Sequence, residues 1–170
     1  MYRAITLIEL LIALAVISIT LYFLSPSIYQ IQDPILLNNE IDKIKAFIYQ
    51  VQTQARYHKQ RYSVSISQNN TNWCIIAIAK NNSKETACNC LMSNSCRITS
   101  QYYLYHPVSH KVELKSNSLY PKVFMNIDGV TGRLETICLG INLNESRRVI
   151  QFDSSGVINV AQQNKRTKCR

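Results

Sequence analysis

Met1-Tyr2-Arg3-Ala4-Ile5-Thr6-Leu7-Ile8-Glu9-Leu10-Leu11-Ile12-Ala13-Leu14-Ala15-Val16-Ile17-Ser18-Ile19 is the stretch on which the reading of this chain turns. A short basic leader runs into an apolar segment. From Ile5 to Leu24 the only charged residue is Glu9. A run of this length predicts a helix that spans a bilayer. A carboxylate inside it costs about 2.5–3.5 kcal/mol on insertion scales, so the sequence predicts a partner for Glu9. The segment therefore reads as a membrane anchor and an assembly device at once. Arg3 places the leader on the cytoplasmic side by the positive-inside rule, and everything after about residue 25 in the periplasm. No Ala-x-Ala site follows the apolar run, which argues against a conventional secretory signal.

Working outward, Asp33-Pro34 carries a helix start signal, a capping Asp before a first-turn Pro. Leu37, Ile41, Ile44, Ile48, Val51 and Ala55 then recur at spacings of three and four, which makes one stripe of an amphipathic helix. Asn38, Lys45, Gln52, Arg56 and Lys59 are predicted to meet water, with a break in the helix between Pro26 and Pro34. From Tyr62 the period becomes two. Tyr62–Ser67 and Cys74–Ala79, separated by the turn Asn69-Asn70-Thr71-Asn72, read as a hairpin. Residues 80–100 read as a cysteine-stapled loop. Further strands are predicted at 101–106, 111–115, 122–127, 134–139, 147–153 and 157–160, with turns at Asp128-Gly129 and Ser155-Gly156.

The predicted fold class is α+β: a long N-terminal helix with a membrane-spanning first half, packed on an antiparallel β domain. The segments are a leader at 1–4, a transmembrane and assembly helix at 5–25, an amphipathic helix at 26–61 and a disulfide-bearing β domain at 62–170. A chain of 170 residues allows one such core.

Six cysteines, Cys74, Cys88, Cys90, Cys96, Cys138 and Cys169, read as disulfides in an exported domain. Sequence does not choose among the fifteen connectivities that six cysteines allow. The pairing expected is Cys138 with Cys169, and Cys74 with a cysteine of the 88–96 loop. The spacing in Cys88-x-Cys90-x5-Cys96 fits no common zinc site, so no metal is expected. His58, His106 and His110 form no nucleophile–base pair, and no Gly-rich phosphate loop is present. Asp128 and Asp153 suit turns. Tyr102, Tyr103 and Tyr105 read as strand and core residues. No enzyme and no cofactor is expected.

Net charge is +9. Lys165, Arg166, Lys168 and Arg170 end the chain, and Arg147-Arg148 lies on a predicted strand. These are the candidate contacts for a polyanion such as DNA, to be bound without sequence preference and with strong salt dependence. A solvated basic tail is the plainer alternative.

The run Ala4-Ile5-Thr6-Leu7-Ile8-Glu9-Leu10-Leu11 resembles the class III signal of type IV prepilins and type II secretion pseudopilins. Pro26 falls where many members carry a proline. The resemblance implies cleavage between Ala4 and Ile5 by a prepilin peptidase, N-methylation of Ile5, and Glu9 as the glutamate that neutralises a subunit's N-terminal amine in the filament. Ala4 stands where Gly is usual, which should slow processing, and Ile5 where Phe is usual. The strand-rich remainder resembles minor pilins of the GspH/FimT type. Some of those bind DNA through a C-terminal Gly-Arg-x-Arg motif. Here Gly132-Arg133-Leu134-Glu135 breaks that motif at Glu135. The implied function is a minor pilin that primes or tips a type IV pilus and takes part in DNA uptake during natural transformation. Its implied partners are the peptidase, other pilin subunits, the inner membrane and DNA. The alternatives are a type II secretion pseudopilin and, from another class, a membrane-tethered periplasmic binding module.

Overall fold

The structure, a computed structural model, describes residues 6–80, 87–92 and 101–162, with backbone alone at 24–31 and at 162. Helix α1 runs Leu7–His58. Thr6 caps its start, its hydroxyl accepting from the Glu9 N–H at 3.4 Å. At the other end Lys59 turns left-handed at φ 51°, and the Gln60 N–H donates to the Ala55 carbonyl at 3.0 Å. These bonds satisfy carbonyls that the last turn would otherwise leave open.

Two expectations about this helix are corrected. Among the described residues, no helix is long and apolar enough to cross a membrane. An apolar stretch of α1 runs through Leu7–Phe23. Glu9 lies within it, and charged residues populate the helix from Asp33 onward. The membrane-spanning first half and the single-pass inner-membrane placement with a periplasmic domain are therefore not supported. Nor does the helix break between Pro26 and Pro34. The Asp33 carboxylate, expected to cap a second helix, instead accepts from Asn144 Nδ2 at 2.6 Å, which ties mid-helix to a distant turn.

Eight strands follow: β1 Tyr62–Gln68, β2 Trp73–Ala79, β3 Tyr102–Tyr105, β4 Glu113–Lys115, β5 Met125–Ile127, β6 Ile137–Leu143, β7 Ser146–Phe152 and β8 Ile158–Gln162. They form two four-stranded sheets, ordered β3-β2-β1-β5 and β4-β6-β7-β8, with every pairing antiparallel. The first hairpin closes as expected, with Ser65 opposite Ile76. Its turn is held by the Asn69 side chain, which accepts from the N–H groups of Thr71 and Asn72. The strand predicted at 134–139 is displaced to Ile137–Leu143, and Leu134 makes only an isolated bridge to Ile127.

The α1 stripe from Leu37 to Ala55 is buried as its period requires, and joins residues of both sheets in one continuous core. Residues Val64, Ile66, Ile75 and Ala77 come from the first sheet, and Leu139, Ile141, Ile150 and Phe152 from the second. The opposite face of the first sheet is also covered. Ser63, Ser65 and Ser67 are buried, and Ile76 and Ile78 pack with Cys88 and Cys90.

Two polar residues of the helix are buried too. Gln52, expected to meet water, donates from Nε2 to the carbonyls of Gly132 at 2.9 Å and Gly156 at 3.3 Å. Both glycines have positive φ, 70° and 87°, a backbone that Gly adopts at little cost. Glu40 accepts from the Tyr105 hydroxyl at 2.7 Å and from the Val108 N–H at 3.4 Å.

Candidate assembly surface and charged sites

The sequence-derived site residues form three groups. The first is the N-terminal part of α1. Twelve large apolar side chains from Leu7 to Phe23 are 52–78% exposed, and they occur on every side of the helix. Helix positions 7, 8, 10, 11 and 12 already sample a full turn, so this surface is a collar and not a stripe. The hydroxyls within it are turned onto their own backbone. Ser18 donates to the Leu14 carbonyl at 2.8 Å, and Thr20 to those of Val16 and Ile17. Glu9 is left as the one acid on this surface, exposed in the first turn of the helix. Contiguous exposed apolar surface of this kind marks an interaction site. Covering side chains already about half buried yields on the order of 1 kcal/mol each, on the order of 10 kcal/mol together. The processing residues Ala4 and Ile5 lie outside the described residues.

The second group is the cysteines. Cys74 on β2 is bonded to Cys90, 16 positions further along the chain, with Cα atoms 6.0 Å apart. This bears out the expected pairing of Cys74 into the 88–96 loop. It explains why the loop covers the back of the first sheet: Ser67 Oγ reaches the Cys88 carbonyl at 3.5 Å beside it. Cys88 and Cys138 are disulfide-bonded as well. Cys96 and Cys169, and with them the expected pairing of Cys138 with Cys169, lie outside the described residues. No group of three or more His, Cys, Asp or Glu able to hold a metal ion occurs among the described residues.

The third group is basic. Arg147 and Arg148 sit at the start of β7, opposite Asn142 and Ile141. Alternation along the strand sends them to opposite faces of the sheet, so they do not converge on one site. The Arg148 guanidinium folds back onto the Arg147 carbonyl at 3.1 Å. Lys165, Arg166, Lys168 and Arg170 lie outside the described residues. In the broken motif, Glu135 accepts from the Asn126 N–H at 3.0 Å and from Asn126 Nδ2 at 2.8 Å, which pins the start of the following strand to β5.

The remaining candidates are structural. Tyr103 and Tyr105 pack on the core, and Tyr102 is exposed. His106 and His110 are exposed between β3 and β4. Asp128 accepts from the Thr131 hydroxyl at 2.6 Å and N–H at 2.9 Å and pairs with Arg61 Nε at 3.4 Å. Those Thr131 bonds, chiefly, hold its pKa down to about 2. Asp153 is likewise lowered by the Ser155 N–H in its own turn.

Sequence reasoning missed a basic cluster at the far end of α1. Arg56, Lys59, Arg61, Lys80 and Arg133 gather there from three separate parts of the chain. The run Arg56-Tyr57-His58-Lys59-Gln60-Arg61 is the signal that could have found it.

No family model matches the chain, and no solved structure matches it. An uncharacterized protein of Haemophilus influenzae strain Rd is 30% identical over 164 residues, which cover 94% of each chain.

Proposed function

We propose that this chain, which belongs to the same family as the uncharacterized Haemophilus influenzae protein, is a pilin-type filament subunit, a minor pilin of the GspH/FimT kind. The observation that carries the reading is the exposed apolar collar of α1 with Glu9 in its first turn. Subunits stack through these collars, and the β sheets on the C-terminal half of α1 face outward. A carboxylate drawn into such a bundle needs a cation there. At 4 Å and an effective dielectric constant near 20 the attraction is about 4 kcal/mol, enough to set the register of neighbouring helices. The N-terminal amine of an adjacent processed subunit supplies that cation. Cleavage by a prepilin peptidase before Ile5 would create it. The net charge of +9 favours a pilus that handles a polyanion such as DNA over a secretion pseudopilus.

Exchange of Glu9 for Gln tests this. The variant should accumulate to normal levels with its β domain folded, yet fail to co-purify with sheared filaments. Incorporation at the level of the unaltered chain would overturn the proposed role of Glu9.

A further inference from the structure

Three segments far apart in sequence meet where α1 ends. The Arg56 side chain lies over Gly132: a Cβ on Gly132 would sit 2.7 Å from Arg56 Nε. Arg133 follows Gly132, and its carbonyl accepts from the Asp128 N–H at 3.0 Å. Arg61 pairs with Asp128, and the Arg61 carbonyl accepts from the Lys80 N–H at 2.8 Å. Arg61, Lys80 and Arg133 line one open depression of about 340 Å³. Two acids also line it, and both are engaged: Asp128 by Thr131 and Arg61, Glu135 by Asn126. Among the described residues, Arg56, Lys59, Lys80 and Arg133 have no acidic partner within 4.0 Å. The last-turn cations Arg56 and Lys59 also complement the helix dipole, but Arg61, Lys80 and Arg133 lie beyond the helix and have no such role. Beside them Tyr57 is 80% exposed, in edge contact with the His58 ring at 4.9 Å between centroids.

We propose that this end of the domain, Arg56, Tyr57, Lys59, Arg61, Lys80 and Arg133, binds single-stranded nucleic acid. Uncompensated cations around an open depression suit a phosphate backbone. The exposed ring of Tyr57, next to Arg56 in the last turn of α1, suits a base, whose face it can stack on without reading its identity. A duplex keeps its bases stacked internally and would use only the cations. The proposal stands apart from the assembly reading, because this surface lies at the opposite end of α1 from Glu9.

The test uses the full chain in detergent micelles, with Lys165, Arg166, Lys168 and Arg170 changed to Gln so that the tail contributes nothing. A fluorescent 12-nucleotide oligo-dT strand is titrated across a salt series by anisotropy. Four phosphate contacts should give a log–log salt slope of about −3, at −0.7 per contact. Tyr57→Ala should weaken binding by about 5- to 150-fold, the range for loss of one stacked base, and Tyr57→Phe should restore it. Changing Lys59 and Arg133 to Gln together should flatten the slope by about 1.4, two contacts at 0.7 each. Trp73 emission monitors folding of each variant. Equal binding of single strand, duplex and heparin with no effect of Tyr57→Ala would overturn the proposal. So would an unchanged slope in the Lys59→Gln/Arg133→Gln variant. Glu9→Gln should leave oligonucleotide binding unchanged, which separates this result from failure of the assembly reading.

Discussion

Replacing Tyr105 by Phe should destabilise the domain by about 2 kcal/mol. The hydroxyl donates at 2.7 Å to Glu40, which is 1% exposed and whose only other donor among the described residues is the Val108 N–H at 3.4 Å. A hydrogen bond to a charged group contributes about 1.5–3 kcal/mol, and loss of one partner leaves the other desolvated. The ring itself stays, so its packing on Phe47 and Trp73, with centroids 5.6 and 5.9 Å away, is kept. The cost is therefore that of the hydroxyl alone. Trp73 is the sole tryptophan and is buried, so its emission during urea titration reports on this site. Changing Glu40 to Leu together with Tyr105 to Phe should cost less than the two single changes added, because both polar partners then leave together. Loss of less than about 0.5 kcal/mol in Tyr105→Phe would refute the view that this bond fastens α1 to β3, since a charged bond should yield at least about 1.5. The pair also sets an alkaline limit. Burial first, and the bond to Glu40 second, raise the Tyr105 pKa above its ordinary 10.0. Below pH 10 the phenol is protonated folded or unfolded and its contribution is whole. As pH rises beyond 10 the unfolded chain ionises first and stability falls. Tyr105→Phe should reduce that alkaline slope. Tyr62, raised in the same direction by burial, should retain part of it.

Changing Cys74 and Cys90 to Ser together should cost about 3 kcal/mol by chemical denaturation, the loop-closure value for a bridge across about 15 residues. Gly129→Ala should destabilise by about 3 kcal/mol or prevent folding, because its Cβ would lie 2.5 Å from the backbone of Gln60; a melting curve like that of the unaltered protein would contradict the packing described. Asp128, with its pKa lowered from 3.8 to about 2, contributes stability that is whole above pH 3.8 and lost as pH falls toward 2. Asp128→Asn should make stability less steep across that acid range.

The helical stripe was legible because a period of three and four survives any tertiary context that puts one face on a sheet. Polar residues beside that stripe were not. Gln52 looks like a solvent residue, and only the approach of the Gly132 and Gly156 carbonyls makes it an interior one. The hairpin β1–β2 was legible from alternation and a turn of four polar residues. Strand β6 was expected to end at 139, just before Gly140, and it runs on to Leu143. In the sheet Gly140 is an interior position, where a Cβ would lie 3.2 Å from the Lys115 carbonyl of the neighbouring strand. Asp33-Pro34 carried a genuine capping signal whose carboxylate was taken by Asn144, 111 residues away in sequence. The apolar run and Glu9 are visible at once in the sequence, whereas the continuity of α1 from that run into the amphipathic stripe is not, because Pro26 and Asp33-Pro34 read as a break. The basic cluster escaped notice because its members are polar everywhere in sequence and neighbours only after the strands have paired.

In the proposed filament the collar from Leu7 to Phe23 is covered by the same segment of neighbouring subunits. A photo-crosslinking residue placed singly at Leu11, Leu14 and Ile17 in cells producing filaments reads out this contact. Adducts should form at all three positions, joined to the N-terminal helix of another subunit, and be lost in Glu9→Gln. Adducts absent at every position, or formed equally well with Glu9→Gln, would contradict it.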